Sequence, residues 1–410
     1  MSGRGAAQFI GYGLTALSVW LAWEILKAPV AQRAPPALAV RVAPASPEVL
    51  RRAAESELAA GRGDNASALA ADSLARAPFD ARALRVRGLA AAEAGQTAQA
   101  DQLVTLAGNW SLRDDPAHAW LVEQRLRQGD YKSSFAHADT LVRRRTDIRP
   151  QVFSLFETAS VADPKALQAV ATLLAANPPW RRAYFTYLQG KPERDALLFA
   201  LAVALESSPA RFTSTELSWL YQRWLSERRF GAVVALREQI KRPDQADLLL
   251  NGEFSRPTAD RIEPFGWKLG IGSGLTVEVV EDDQNARNLA LRTEYDGYGS
   301  RTLTSQVLTL KPGRYLFSAY HRVESDAGLA SLSWRLTCID TGAKVAELPI
   351  GKDGTTAGAS WVTTRVPLVV IDTGCTVQRL SLTPRPADRR TPITAWFDNL
   401  QIRRSPDADL

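Results

Sequence analysis

The hydrophobic pattern of this chain changes period once, near Leu249, and that change governs what the chain can fold into. Upstream, apolar residues recur every three or four positions, as in "DPKALQAVATLLAANPP" and "ERDALLFALAVALESSP", and this spacing predicts helices. Downstream they alternate, in "LTVEVVED" (275–282), "RYLFSAYHRV" (314–323), "LASLSWRLTCI" (329–339) and "WVTTRVPLVV" (361–370). Turn pairs separate these runs: Asp296-Gly297, Pro312-Gly313, Thr341-Gly342 and Asp353-Gly354. A pattern of period 3.6 buries one stripe of a helix, whereas a pattern of period 2 buries one face of a strand. The chain therefore predicts a multidomain α and β protein, and 410 residues suffice for each part to bury its own core.

The amino terminus adds a third kind of segment. "FIGYGLTALSVWLAWEILKA" (9–28) carries one acidic residue, Glu24, with Tyr12, Trp20 and Trp23 as interfacial aromatics. A cleaved signal peptide is the rival reading, but Pro29-Val30-Ala31 puts proline at the −3 position. The expectation is an uncleaved transmembrane anchor or signal segment over 1–28, then a Pro/Ala-rich tether over 29–46. Lys27, Arg33 and Arg41 follow the segment, and counting positive charges alone would put the bulk of the chain inside. The segment's position and the domains behind it favour the opposite: inner membrane, single-pass, with the bulk in the periplasm.

Within 47–248 a longer period appears. Gly61, Gly95 and Gly129 stand 34 residues apart, each before the polar start of a helical run. Small residues keep step around them, among them Ala66, Ala70, Gly88, Ala100 and Ala138, and Pro78 closes the first unit. This resembles the tetratricopeptide repeat, a helix–turn–helix unit that stacks into a solenoid. The pattern departs from the family at Arg87, where a large apolar residue is usual, and in the third unit, which has no closing proline. Beyond Pro150 the 34-residue clock is lost while helical spacing persists, with Asp163, Ser214 and Thr215 as N-cap positions. The resemblance implies a groove that holds protein partners.

The region 249–405 opens with "NGEF", followed by "PFGW", "LKPGRYLFSAYHR" and finally "AWFDNLQI". Together with the alternating strands these motifs resemble a carbohydrate-binding module of the galactose-binding-like, jelly-roll β-sandwich kind. The resemblance implies that Asn-Gly-x-Phe enters the first strand and that a polysaccharide is the ligand. In many members a structural calcium ion joins the first and last strands, and Glu253 and Asp398 match those positions loosely; two carboxylates fall short of the six to eight oxygens calcium takes. Alternation sets Tyr320 and Arg322 on the polar side of one strand and Arg335 on the polar side of another. If those strands are neighbours, the three residues share a sugar-binding face, rimmed by the loop aromatics Trp267, Tyr295 and Tyr298. Rings stack on the apolar faces of sugars, and guanidinium forks bind hydroxyls or uronate carboxylates. The alternative is that the arginines are plain surface residues and the loop aromatics pack against the sandwich.

Cys338 and Cys375 are the only cysteines, too few for a four-ligand zinc site; they form one disulfide in an oxidising compartment or remain two buried thiols. The net charge of +6 does not point to nucleic acid: 249–410 holds 19 basic and 19 acidic residues, and Arg143-Arg144-Arg145 and Arg389-Arg390 lie beside aspartates. No catalytic constellation is legible. His118 and His137 fall in helices and His321 on an inward strand position, while Glu281, Asp282 and Asp283 read as a turn. The sequence thus predicts a non-enzymatic envelope scaffold whose helical part holds proteins and whose sandwich binds glycan, in bacterial polysaccharide synthesis or export. The alternative is a pure assembly factor whose sandwich binds protein.

Overall fold

A computed structural model describes residues 18–23, 25–27, 29–242, 248–255, 264–299, 301–324, 332–350, 358–384 and 392–405. The chain divides into two compact units, Met1–Leu198 and Phe199–Leu410. The change from helix to strand falls where the period changes, yet the compact division lies some fifty residues earlier. Positions 9–17 of the expected membrane segment, with Tyr12 among them, lie outside the described residues, as do Glu24, the Asp353-Gly354 turn and the Arg389-Arg390 pair. Among the described residues no helix is long and apolar enough to cross a membrane.

The first unit is helical. After α1 (Pro36–Val42), which falls within the expected tether, come three hairpins: α2 (Pro47–Ala59) with α3 (Gly63–Arg76), α4 (Ala81–Glu93) with α5 (Thr97–Trp110), and α6 (Asp115–Arg127) with α7 (Tyr131–Arg144). Each hairpin turns the same way. Gly61, Gly95 and Gly129 have φ of 72°, 75° and 71°, the left-handed region that costs glycine least. The residue after each glycine donates its N–H several residues back, to Glu57, Ala91 and Arg125, at 2.9, 2.8 and 2.9 Å. This closure satisfies carbonyls that the helix end would otherwise leave open. Gly88 sets the spacing of α4 and α5, because a Cβ there would lie 2.6 Å from Val104 Cγ2.

The 34-residue clock runs one helix further than the sequence pattern indicates. α8 (Arg149–Ala162) starts in step, but α9 (Pro164–Ala175) follows with no glycine turn. Asp163 replaces that turn by capping α9, its carboxylate accepting from Lys165 N at 2.8 Å. Large rings then replace small residues in the packing: Phe135 meets Phe156 at 4.8 Å, and Phe156 meets Trp180 ahead of α10 (Arg181–Gln189) at 5.6 Å.

The second unit contains most of α11 (Asp195–Glu206), then α12 (Ser214–Ser226), α13 (Phe230–Ile240) and ten strands. Thr213, one residue ahead of the expected Ser214 or Thr215, caps α12 in a reciprocal box with Glu216. These helices dock on the strands. Tyr221 packs on Phe265 at 4.9 Å, Arg237 lies over that ring at 4.5 Å, and Arg237 also donates to Thr309 Oγ1 at 2.8 Å.

The strands are β1 (Lys268–Leu269), β2 (Leu275–Asp282), β3 (Asn285–Tyr295), β4 (Thr304–Leu308), β5 (Gly313–Val323), β6 (Leu332–Cys338), β7 (Lys344–Ile350), β8 (Gly358–Val370), β9 (Gln378–Pro384) and β10 (Ile393–Arg404). They form two antiparallel sheets, ordered β1-β4-β9-β6-β7 and β2-β3-β10-β5-β8. Their inner faces share one core, in which Trp334 touches Trp267, Phe317 and Phe397. Cys338 and Cys375 are disulfide-bonded, tying the end of β6 to the turn before β9.

The "NGEF" segment is a turn and not the first strand. Asn251 and Phe254 adopt φ of 49° and 48°, and a Cβ on Gly252 would lie 1.9 Å from the Leu400 carbonyl oxygen. That proximity lets Gly252 O accept from Leu400 N at 2.9 Å, while the Gln306 side chain bonds both N and O of Leu250.

Candidate functional site

The sequence-based grouping of Tyr320, Arg322 and Arg335 on one face does not survive the sheet order. β5 lies in the second sheet and β6 in the first. Phe317 of β5 and Trp334 of β6 meet in the core, so the polar sides of these strands point away from each other. Arg335 instead pairs with Glu347 on the outer face of the first sheet, at 3.4 Å. Burial pushes the Glu347 carboxyl up, but hydrogen bonds from Lys344, Ser333 and Arg335 outweigh it and hold the group at about 2.

Two of the three rim aromatics are core residues. Trp267 is buried between Phe254 and Trp334, its indole N–H given to Asn251 O at 3.0 Å. Tyr295, at the end of β3, is buried too, and its hydroxyl donates to Gly299 O. A loop aromatic packs inward readily when its polar tip has a partner in reach. Only Tyr298 is exposed as expected.

The outer face of the second sheet carries a different constellation. Antiparallel register sets Glu278 (β2) beside Arg292 (β3), Arg292 beside Trp396 (β10), and Trp396 beside Arg322 (β5). Trp361 of β8 completes the row. The Arg292 guanidinium lies 5.7 Å from the Trp396 ring, and that of Arg322 lies 4.5 Å from Trp396 and 5.5 Å from Trp361. Tyr320, two residues back on β5, stacks on Trp361 with centroids 4.7 Å apart and planes inclined by 17°.

Arg322 is unable to serve as an exposed sugar ligand: its side chain is 2% exposed. Its guanidinium pairs with Asp282 at 3.3 Å, Glu324 at 3.0 Å and Asp283. Glu324 Oε1 also accepts the Trp396 indole N–H at 2.6 Å. A buried guanidinium needs such partners to offset its desolvation. It lies against both the Trp396 and the Trp361 rings. Tyr320 and Trp361, both half-buried, are the rings a ligand can reach.

Asp398 stands opposite Tyr320 in the β5–β10 register. Burial raises its carboxyl above the ordinary range, with the charges of Glu253 and Asp282 adding to the effect and the Asn288 amide opposing it. The calcium expectation would set Glu253 and Asp398 at one ion. Among the described residues, however, no group of three or more carboxylates, histidines or cysteines is placed to hold a metal ion.

The histidines are engaged in packing. His118 and His137 meet through their Nδ1 atoms at 3.0 Å. Burial, with His118 as neighbour, lowers His137 to about 4. His321 is buried beside Phe397, its Nε2 2.9 Å from Thr364 Oγ1, and burial lowers it to about 4 as well.

Trp361 and Trp396 are the site residues that sequence reasoning passed over. The signal was available, since Trp361 heads an alternating run and Trp396 occupies the polar parity of "AWFDNLQI".

No protein-family model matches the chain, and no curated protein matches it. Solved structures that resemble it cover part of its length. A family 61 carbohydrate-binding module in complex with β-1,4-galactotriose is 15% identical, with 39% of this chain and 100% of that one covered and a TM-score of 0.28. The xylan-binding domain of Xyn10C from Paenibacillus barcinonensis is 18% identical, with 38% and 93% covered and a TM-score of 0.27. A second module of family 16 is 16% identical, with 38% and 100% covered and a TM-score of 0.28. With TM-scores no higher than 0.28, these likenesses carry no fold, residue role, ligand or activity over to this chain.

Proposed function

We propose that this chain is a glycan-binding protein whose sugar site is the outer face of the second sheet, with Tyr320 and Trp361 as the stacking rings. The observation that carries this reading is the pair itself. Two nearly parallel rings stand half-exposed on a sheet face, buttressed by a guanidinium clamped between two indoles. Such rings bind the apolar faces of pyranoses, and the clamp below holds them in place before binding, which lowers the ordering cost. The role is binding and not catalysis. In support, Asp282, Asp283 and Glu324 are committed to one guanidinium, and His321 is closed off in the core.

In the same proposal the helical unit holds a protein partner. Phe79, in the turn between the first two hairpins, and Trp110, at the end of α5, are exposed and touch at 5.5 Å, and Leu112 is exposed just beyond Trp110. The Cys338–Cys375 disulfide suits an oxidising compartment, as a periplasmic protein held by its amino-terminal segment would require. Polysaccharide synthesis or export is the setting this combination fits.

Affinity electrophoresis of the full chain through gels containing neutral or charged polysaccharides tests the reading. Retardation by at least one polysaccharide, abolished by free oligosaccharide, is expected. Unretarded migration in every gel would move the assignment to the assembly-factor alternative.

A further inference from the structure

The charge around the stacked rings bears on which glycan they take, an inference that rests on the glycan reading above. The two guanidiniums in the row are already occupied. Arg322 is surrounded by three carboxylates, and Arg292 is shared between Glu278, at 3.1 Å, and Glu294. Asp398 adds a sixth acidic group, directly opposite Tyr320. Among the described residues, Arg314, Arg365 and Arg403 of this face lie farther along the strands, with Arg365 opposite Ser318 and Arg403 opposite Leu316. Among the described residues the ring-bearing end of the sheet is therefore net negative.

Accessibility reinforces the sign. The Arg322 side chain is 2% exposed, while those of Asp283, Glu278 and Glu294 are 57%, 43% and 43% exposed. Asp398, opposite Tyr320, and Asp283, beside Arg322, are the carboxylates nearest the rings, while Glu278 and Glu294 lie farther off on β2 and β3. A uronate there faces like charge, with both guanidiniums of the row already taken. An ammonium group gains Coulomb energy from the carboxylates and can also lie over an indole, as Arg322 does. Asp398, whose carboxyl is raised by burial with Glu253 and Asp282 nearby, would also gain a counter-charge.

We propose that the face selects amine-bearing glycans, polymers of glucosamine type with free amino groups, over neutral ones, and rejects polyuronates. The rings supply the binding and the acidic rim supplies the choice.

The test is calorimetric titration of the full chain with three oligosaccharides of equal length: glucosamine, N-acetylglucosamine and galacturonic acid. The expected result is glucosamine binding ~5-fold or more tighter than the N-acetylated oligomer, from several exposed charge pairs of modest strength, with the uronate weakest. Raising salt from about 50 mM to about 500 mM should erase that preference. Asp398→Asn, which leaves the carboxylates around Arg322 in place, should shrink it. Equal binding of the first two, or tighter binding of the uronate, would overturn the proposal and leave the glycan reading standing. Absence of binding to all three and to neutral polysaccharides would remove the reading itself.

Discussion

At the scale of single residues, Gly252 shows what one missing side chain allows. The Leu400 carbonyl occupies the place where a Cβ would stand, at 1.9 Å, and that carbonyl belongs to the backbone of β10 and has little freedom to yield. Gly252→Ala should therefore detach the 248–254 turn and cost about 1–3 kcal/mol, the range of overpacking with backbone displacement. Denaturant melts of the two proteins check this; a loss below about 1 kcal/mol would mean that the turn moves away without cost. The same segment marks what a sequence can disclose. The motif at Asn251-Gly252 is expected to enter the first strand, but the partner that makes it a turn lies far downstream on β10, and no local pattern carries that distance. Arg322 teaches the converse lesson. Its parity on β5 was legible and its outward direction correct, yet burial beneath two indoles and three carboxylates depends on β2, β8 and β10 together. Trp267 was misplaced for a related reason: a loop position says nothing of the core gap that the ring fills beside Trp334.

At the scale of elements, alternation located β2 and β5 almost to the residue, and the glycine spacing located the three hairpins. What alternation leaves open is which strands pair. Chain neighbours β5 and β6 fall in different sheets, so Arg335 is on the far side of the sandwich from Tyr320. Buried elements also carry pH sensitivity. His321 ordinarily titrates near 6.5, and burial in β5 lowers it to about 4. Between those values the unfolded chain takes up a proton that the folded chain refuses, so stability falls as pH falls through this window. The loss from His321 approaches about 3 kcal/mol at the lower end, taking ~1.4 kcal/mol for each pH unit. His137, lowered to about 4 in the other unit, acts in the same direction. Melting the full chain from pH 7 to pH 4 should show a declining midpoint for the sandwich transition, and His321→Phe should flatten that decline. An unchanged slope in a folded His321→Phe protein would contradict the burial account.

At the scale of the molecule, the two units divide near residue 198, and α12 and α13 belong with the sandwich, so severing the chain near Leu249 would expose Phe265 and remove its Tyr221 and Arg237 neighbours. That division was not legible, because the helices on either side share one periodicity and only tertiary packing separates them. The sandwich is further braced by Cys338–Cys375, which closes a loop across 37 residues. On the chain-entropy scale such a loop contributes about 4 kcal/mol, so reduction should lower the midpoint of the sandwich transition and leave that of the helical unit in place. Calorimetric scans with and without reductant resolve the two transitions; equal shifts in both would contradict the separation into units.

The central claim is that Tyr320 and Trp361 form the surface on which a glycan rests. Its most direct measurement is calorimetric titration of the intact chain and of Tyr320→Ala with Trp361→Ala, using whichever oligosaccharide retards the wild-type protein. Both rings lie on the outer face of the sheet, so the variant should still fold, which a cooperative melt checks. The account predicts at least a ~30-fold loss of affinity, taking ~1–3 kcal/mol for each stacked ring, the scale of aromatic stacking on planar ligands. A folded variant that binds with wild-type affinity would contradict it and place the ligand elsewhere on the molecule.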